Sequence, residues 1–311
     1  MGCKLLGDTA APEPPQLSWH TGVGLAIAGT FLFALKSIFI KLAFAEGADP
    51  LSLLTLRMAF SLPFYAIVLA RVRSATPGET FRRGDLLKAA GLGFLGYYLA
   101  SFLDLSGLEH ISAQLERLTL FTYPAIVAVL ASLFLRERLT INVVLAIALC
   151  YAGVVLMYSS ELNLQSGSNT DLGVVLVLGS AVSYSVYVVL AKPLIQSLGS
   201  PAFTSVAMMG STVFVATHFL VFGSDQGLLA FPTSVYGYAL VLAFVCTVIP
   251  SFMINEAIAR IGATPTTVIG AVGPVFTMAL AIAILGEATS WRHIAGMLVA
   301  IFGVWLVSRK K

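Results

Sequence analysis

The sequence predicts an all-α polytopic membrane protein, in which ten transmembrane helices form two five-helix repeats of inverted topology. The first observation is composition: 58% of the 311 residues are hydrophobic and only 11% are charged, whereas soluble domains carry about 25% charged residues. The second is a series of ten apolar stretches joined by short loops, and the third is an internal repeat. These features exclude an ordinary soluble enzyme, a nucleic-acid-binding protein and a disordered chain.

The ten spans follow from length, because a bilayer core of about 30 Å needs roughly 20 apolar residues per helix. They lie near residues 20–43, 51–70, 88–107, 113–135, 141–158, 172–192, 203–223, 233–255, 264–285 and 292–308. We expect a flexible cytoplasmic tail at 1–19, a first repeat at 20–158, an external linker at 159–171, a second repeat at 172–308 and a basic cytoplasmic tail at 309–311.

The orientation follows from the basic residues. Thirteen Lys and Arg residues fall in the two tails, the even-numbered loops and their margins, and the odd-numbered loops carry only Arg292. Since cytoplasmic loops carry the excess of Lys and Arg, both termini are predicted to be cytoplasmic.

The two halves align without gaps at an offset of 150 residues, which pairs Pro124 with Pro274 and Glu137 with Glu287. A five-helix unit has odd parity, so the second copy must enter the membrane from the opposite side. Such inverted repeats enclose a midplane site in many transporters and expose it alternately to the two sides. We therefore expect a transporter; a duplication kept for packing alone is the alternative.

The fourth span and its exit, LTLFTYPAIVAVLASLFLRERLT, contain a mid-span proline and end in Leu-x-Glu-Arg-Leu-Thr. This segment resembles the drug/metabolite transporter superfamily, particularly its ten-helix EamA-type exporters. The second copy, ILGEATSW, keeps Glu287 but has Ala288 where Arg is usual. The resemblance implies a secondary transporter, not an enzyme, that exports amino acids or related small metabolites across a bacterial inner membrane. It does not specify the substrate, because the superfamily also carries sugars, nucleotide sugars, vitamins and drugs.

Charges inside spans are costly unless they face the bundle interior or a water-filled cavity. Hairpin geometry at 1.5 Å per residue places five of them in the outer half of the first repeat: Lys36, Arg57, Asp104, Glu116 and Arg117. The equivalent positions of the second repeat are uncharged: Val186, Ala207, Ile254, Thr266 and Thr267. This asymmetry favours a functional role.

Lys36 and Arg57 have no acidic partner on their own hairpin, and we expect them to contact a substrate carboxylate, directly or through Asp104. Arginine can bind a carboxylate through two parallel hydrogen bonds. For Asp104 and Arg117 the alternative to a functional role is a structural ion pair across their hairpin. For Glu116 the alternative is that its carboxylate caps the start of its own helix. Proton uptake by Asp104 or Glu116 is a further hypothesis, because burial disfavours the charged carboxylate.

Five aromatic residues are candidates for the substrate pathway, with packing as the alternative: Tyr97, Tyr98, Tyr123, Tyr184 and Tyr187. Pro124 and Pro274 are candidate hinges, because proline interrupts helical hydrogen bonding. Glu137 and Glu287, at helix exits, are expected to hydrogen-bond a neighbouring helix end.

No Walker sequence, dinucleotide fingerprint or zinc spacing occurs, so we expect no cofactor and no metal. The expected partners are a small-molecule substrate and the lipid bilayer, not nucleic acid, with a monomer or homodimer as the assembly. One alternative is an antiporter for an anionic sugar-phosphate or nucleotide-sugar, which would use Lys36 and Arg57 for phosphate. The other is an intramembrane enzyme, which would need a clustered His with Asp, Ser or Cys that the sequence lacks.

Overall fold

A computed structural model of the chain describes residues 16–75, 81–135, 141–164, 169–223, 227–261, 266, 269–270 and 272–308. All regular secondary structure in these residues is helical. A helix bonds its backbone N–H and C=O groups within its own segment, which a spanning structure requires in a bilayer without water.

The described part of the first half contains six helices. These are α1 (Gln16–Ala45), α2 (Pro50–Ala75), α3 (Arg83–Leu108, with a π-helical turn at Phe94–Leu99), α4 (Ala113–Leu120), α5 (Tyr123–Leu135) and α6 (Ile141–Leu164). The described part of the second half contains α7 (Thr170–Leu198), α8 (Ser200–Phe222), α9 (Thr233–Ala243, a π turn at Phe244–Val248, then Ile249–Ile261), α10 (Gly273–Leu280, then a π turn at Ala281–Leu285) and α11 (Trp291–Ser308).

Six of the described helical stretches are long and apolar enough to cross a membrane: Trp19–Ala45, Pro50–Ala75, Arg83–Leu108, Thr170–Ala191, Ser200–Phe222 and Thr233–Ile254. Three shorter apolar stretches accompany them: Ala148–Ser160, Gly273–Leu285 and Trp291–Gly303. The chain is therefore an all-helical polytopic membrane protein, whereas the count of ten spans and the side of each terminus stay predictions.

The two halves share local irregularities at equivalent positions. The π turns of α3 and α9 begin at Phe94 and Phe244, which match at the offset of 150. Pro124 and Pro274 are each the second residue of a helix, α5 and α10. Proline is tolerated in the first turn because the N–H that it lacks has no intrahelical partner there. Each of these prolines thus begins a helical segment instead of kinking a continuous one.

The halves interlock through pairs of helices related by the repeat. α1 packs on α9, and its counterpart α7 packs on α3; α2 packs on α8, and α6 on α11. The contact between α6 and α11 is close: a Cβ atom on Gly153 would lie 2.5 Å from the carbonyl oxygen of Gly296, and one on Gly296 would lie 2.6 Å from that of Gly153. Small residues allow such backbone contact between membrane helices. Both halves therefore contribute walls to the space between them.

Candidate functional site

A cavity of about 490 Å³ lies between the two halves. Small-molecule sites occupy about 300–1,000 Å³, so this space suits one solute. Three backbone irregularities reach it: the π turns of α3 (Gly96) and α9 (Cys246), and the break between α4 and α5 (Phe121). Non-helical backbone at membrane depth is tolerated where it lines a cavity, and π turns are frequent at functional sites. The cavity is thus the candidate functional site.

The Lys36–Asp104 ion pair joins α1 to α3 at the cavity wall. Lys36 Nζ donates to Asp104 Oδ2 at 2.6 Å, and the two side chains are 16% and 3% exposed. The alternative of a structural ion pair between Asp104 and Arg117 is not formed, because the carboxylate pairs with the lysine of α1 instead. Lys36 therefore contacts the cavity as a cation whose charge is already compensated.

Arg57 and Arg117 line the same cavity without a direct ion pair, although Asp104 lies close enough for its charge to act on both. Arg57 is only 5% exposed, and its Nε is buried without a hydrogen-bond partner. Among the described residues, neither guanidinium group makes an ion pair or donates a hydrogen bond. Two guanidinium groups therefore remain available to an anion in the cavity.

Glu116 lies behind this wall in the first turn of α4, the helix end at which a carboxylate is favoured. Its Oε2 accepts a hydrogen bond from Ser37 Oγ at 2.6 Å. The start of α4 is capped by other groups: Ser112 Oγ accepts the N–H of Leu115 at 3.1 Å. Glu287 accepts the N–H groups of Ala113 and Gln114, at 2.7 and 3.3 Å.

Glu287 thus makes the type of hydrogen bond to a neighbouring helix end that the sequence analysis expects. It follows α10 in a loop, where burial raises its pKa while the two backbone N–H donors and the charge of Lys41 oppose that rise. Its counterpart Glu137 lies outside the described residues, so the same role for Glu137 stays a prediction.

Three of the five aromatic candidates line the cavity: Tyr97, Tyr123 and Tyr184. The rings of Tyr123 and Tyr184 meet edge to face there, with ring centroids 5.3 Å apart. Tyr187 lies behind the wall, and its hydroxyl group donates a hydrogen bond to the hydroxyl oxygen of Tyr97 at 3.0 Å.

Tyr98 is not part of the cavity lining, which corrects its assignment to substrate binding. Its hydroxyl hydrogen-bonds His218 Nδ1 at 2.9 Å, and its ring packs among Phe94, Phe102 and Phe214 between α3 and α8. The π turn at Phe94–Leu99 widens the helix locally, so a 3.6-residue period does not indicate which of the two adjacent tyrosines faces inward.

Several polar side chains of the cavity lining were not among the candidates predicted from the sequence. They are single hydroxyl groups on apolar helices: Thr30, Tyr65, Ser101, Ser180, Thr204, Thr247 and Ser251. Ser180 and the neighbouring Ser183 donate to the carbonyl groups of Ala100 and Leu95, at 2.7 and 2.8 Å. These bonds tie α7 to both ends of the π turn in α3. Isolated hydroxyl residues give no distinctive signal in a sequence, because many of them satisfy backbone groups elsewhere in membrane helices.

Comparison with known proteins identifies relatives over most of the chain. The model of the family described as "EamA-like transporter family" matches residues 20–159 and 171–309. The "uncharacterized transporter YcbK" of Bacillus subtilis (strain 168) is 32% identical over 269 residues, with 86% of each chain covered. The "uncharacterized transporter YcxC" of the same organism is 26% identical, with 90% of each chain covered. A solved crystal structure shares the fold with a TM-score of 0.62 at 17% identity, covering 93% of this chain and 96% of the other.

Proposed function

Because the chain belongs to the EamA-like transporter family, we propose that it is a secondary transporter that exports amino acids or related small metabolites by alternating access. The observation that carries the proposal is the cavity between the two halves, whose wall holds Lys36, Arg57, Asp104 and Arg117. Charged groups in a membrane protein normally face a substrate or ion pathway, and they have no equivalents in the second repeat.

In this proposal ten spans cross a bacterial inner membrane with both termini in the cytoplasm. The two repeats rock about the cavity and open it first to one side and then to the other. The helix breaks before Pro124 and Pro274 are the proposed points of bending, since α5 and α10 each begin there. A carboxylate on the substrate would bind Arg57, with Tyr123 and Tyr184 against its apolar part.

Proton coupling is part of the proposal and rests on two neighbouring carboxylates. Glu116 lies close enough to Asp104 for their charges to interact, and like charges at short range favour the binding of a proton by one of them. Protonation of either group would change the charge of the wall between outward-open and inward-open states.

A second candidate is the antiporter for an anionic sugar-phosphate or nucleotide-sugar. The two guanidinium groups favour it, because arginine binds phosphate with two parallel hydrogen bonds as it binds carboxylate. One experiment distinguishes the two candidates and would also detect enzymatic conversion, because it follows both the movement and the mass of each compound.

The experiment is counterflow in liposomes that contain the purified full-length protein. Vesicles are loaded with an unlabelled amino acid, organic acid, sugar-phosphate or nucleotide-sugar, and a trace of the labelled compound is added outside. We expect transient accumulation of the unchanged label, its loss in Arg57→Gln, and wild-type behaviour in Arg260→Gln, whose side chain pairs with Glu256 on α9. Failure of every compound to accumulate above protein-free vesicles, or a product of changed mass, would contradict the proposal.

A further inference from the structure

The charged groups around the cavity do not balance. Three cations, Lys36, Arg57 and Arg117, stand beside two carboxylates, those of Asp104 and Glu116. With both carboxylates ionised the group has one positive charge in excess, and with Glu116 protonated it has two. In either state the empty cavity is positive.

The excess charge lies on the arginines that face the cavity. The carboxylate of Asp104 is paired with Lys36, and that of Glu116 accepts from Ser37 outside the lining. Arg57 is almost fully buried and carries a nitrogen without a partner. Burial of a charge without a paired counter-charge is unfavourable, so a bound anion would stabilise this side chain more than a neutral solute could.

The cavity lining offers an ammonium group no partner comparable to the two arginines that face an anion. Asp104 is the only acidic residue among the described residues that line the cavity. One of its oxygens is engaged by Lys36, and the other, Oδ1, is buried without a hydrogen-bond partner. The charge of this carboxylate also acts on Arg57 and Arg117, so an ammonium group beside it would lie among three cations. The amino group of a zwitterion would therefore lie among aromatic and aliphatic side chains, such as Phe33 and Met58.

From this charge balance we propose that the cavity selects solutes with a net charge of −1, namely carboxylates with an aromatic or aliphatic body, over zwitterions with the same body. The inference rests on the proposed function and narrows its substrates to the net-anionic members of that group. Arg57 binds the carboxylate, Arg117 supplies the second positive charge, and Tyr97, Tyr123 and Tyr184 contact the body.

The test compares compounds that share a body and differ in charge. The aromatic series is 3-phenylpropionate, phenylalanine, 3-phenylpropanamide and phenethylamine; the aliphatic series is 4-methylpentanoate, leucine, 4-methylpentanamide and 3-methylbutylamine. Equilibrium binding to the full-length protein in detergent micelles is measured for each by calorimetry. We expect the carboxylate of at least one series to bind at least ten-fold more tightly than its zwitterion, amide and amine.

Variants assign the effect to the arginine. Arg57→Gln should weaken binding of that carboxylate at least ten-fold, Arg57→Lys should weaken it less, and Arg260→Gln should leave it unchanged. The comparison of carboxylate with amide needs only the wild-type protein, so it holds even if Arg57→Gln does not fold. The proposal is overturned if the zwitterion or the amide binds as tightly as the carboxylate, or if neither carboxylate binds.

This outcome is separable from that of the proposed function. A carboxylate that binds as expected but shows no counterflow would leave the selectivity intact and refute transport. Counterflow of a zwitterion that binds as tightly as its carboxylate would preserve transport and refute the selectivity.

Discussion

Replacing Asp104 with Asn should destabilise the protein, because it removes the partner of a buried ammonium group. Lys36 Nζ lies 2.6 Å from Asp104 Oδ2, and the side chains are 16% and 3% exposed. Breaking a buried ion pair from one side costs about 3–5 kcal/mol. Since Lys36 keeps some contact with the cavity, we expect the lower end, about 3 kcal/mol of unfolding free energy.

Replacing both partners with apolar residues should cost much less. In Lys36→Met/Asp104→Leu neither member of this pair leaves its partner's charge behind, and such exchanges are often neutral or stabilising. We therefore expect the double variant to lie within about 1 kcal/mol of wild type. The effects of the two single substitutions should not add, because the residues are in contact.

The assay is reversible unfolding in mixed micelles at increasing SDS fraction, followed by tryptophan fluorescence. The matched control is Glu256→Gln, which breaks an ion pair of 2.7 Å between side chains that are 36% and 52% exposed; exposed pairs contribute about 0.2–1 kcal/mol. The account of the wall would be refuted if Asp104→Asn cost no more than Glu256→Gln, or if the double variant cost as much as both single variants together.

Three further substitutions test individual contacts. Gly93→Ala should lower the free energy of unfolding by about 1–3 kcal/mol, because its Cβ would overlap the carbonyl oxygen of Ala207 on α8. Gly91→Ala, with open space around its Cβ, should not lower it; equal losses would contradict the close packing of α3 on α8. Glu287→Ala should lower the free energy of unfolding by about 1–2 kcal/mol, because the start of α4 loses its cap. The same SDS titration measures this, and an unchanged free energy of unfolding would disprove the cap. Tyr98→Phe should leave the carboxylate affinity, measured by calorimetry, unchanged, since the Tyr98 hydroxyl group contacts His218 outside the cavity. A ten-fold loss of affinity would show that Tyr98 belongs to the binding site.

The membrane architecture could be predicted from the sequence because it depends on properties of whole segments. Length and apolarity identify helices independently of their neighbours, and the offset of 150 residues relates the halves without a structure. The same offset of 150 residues relates the π turns that begin at Phe94 and Phe244. The sequence does not predict these turns.

Individual contacts at the site were less predictable. Hairpin geometry relates only spans that follow one another, so it paired Asp104 with Arg117, whereas the actual partner, Lys36, comes from α1. The π turn likewise placed Tyr97 instead of Tyr98 at the cavity. Both errors concern how helices pack and rotate against one another, which depends on side-chain fit and not on hydropathy.

Alternating access predicts that one position in the cavity can be reached from each side of the membrane. A variant with cysteine in place of Ser101, a lining residue, and with serine in place of the three natural cysteines, is first shown to retain counterflow. It is then treated in oriented vesicles with a membrane-impermeant thiol reagent from either side. We predict labelling from both sides and protection from both by the carboxylate that binds most tightly. Labelling from one side only, or labelling that the carboxylate does not slow, would contradict an alternating-access site in this cavity.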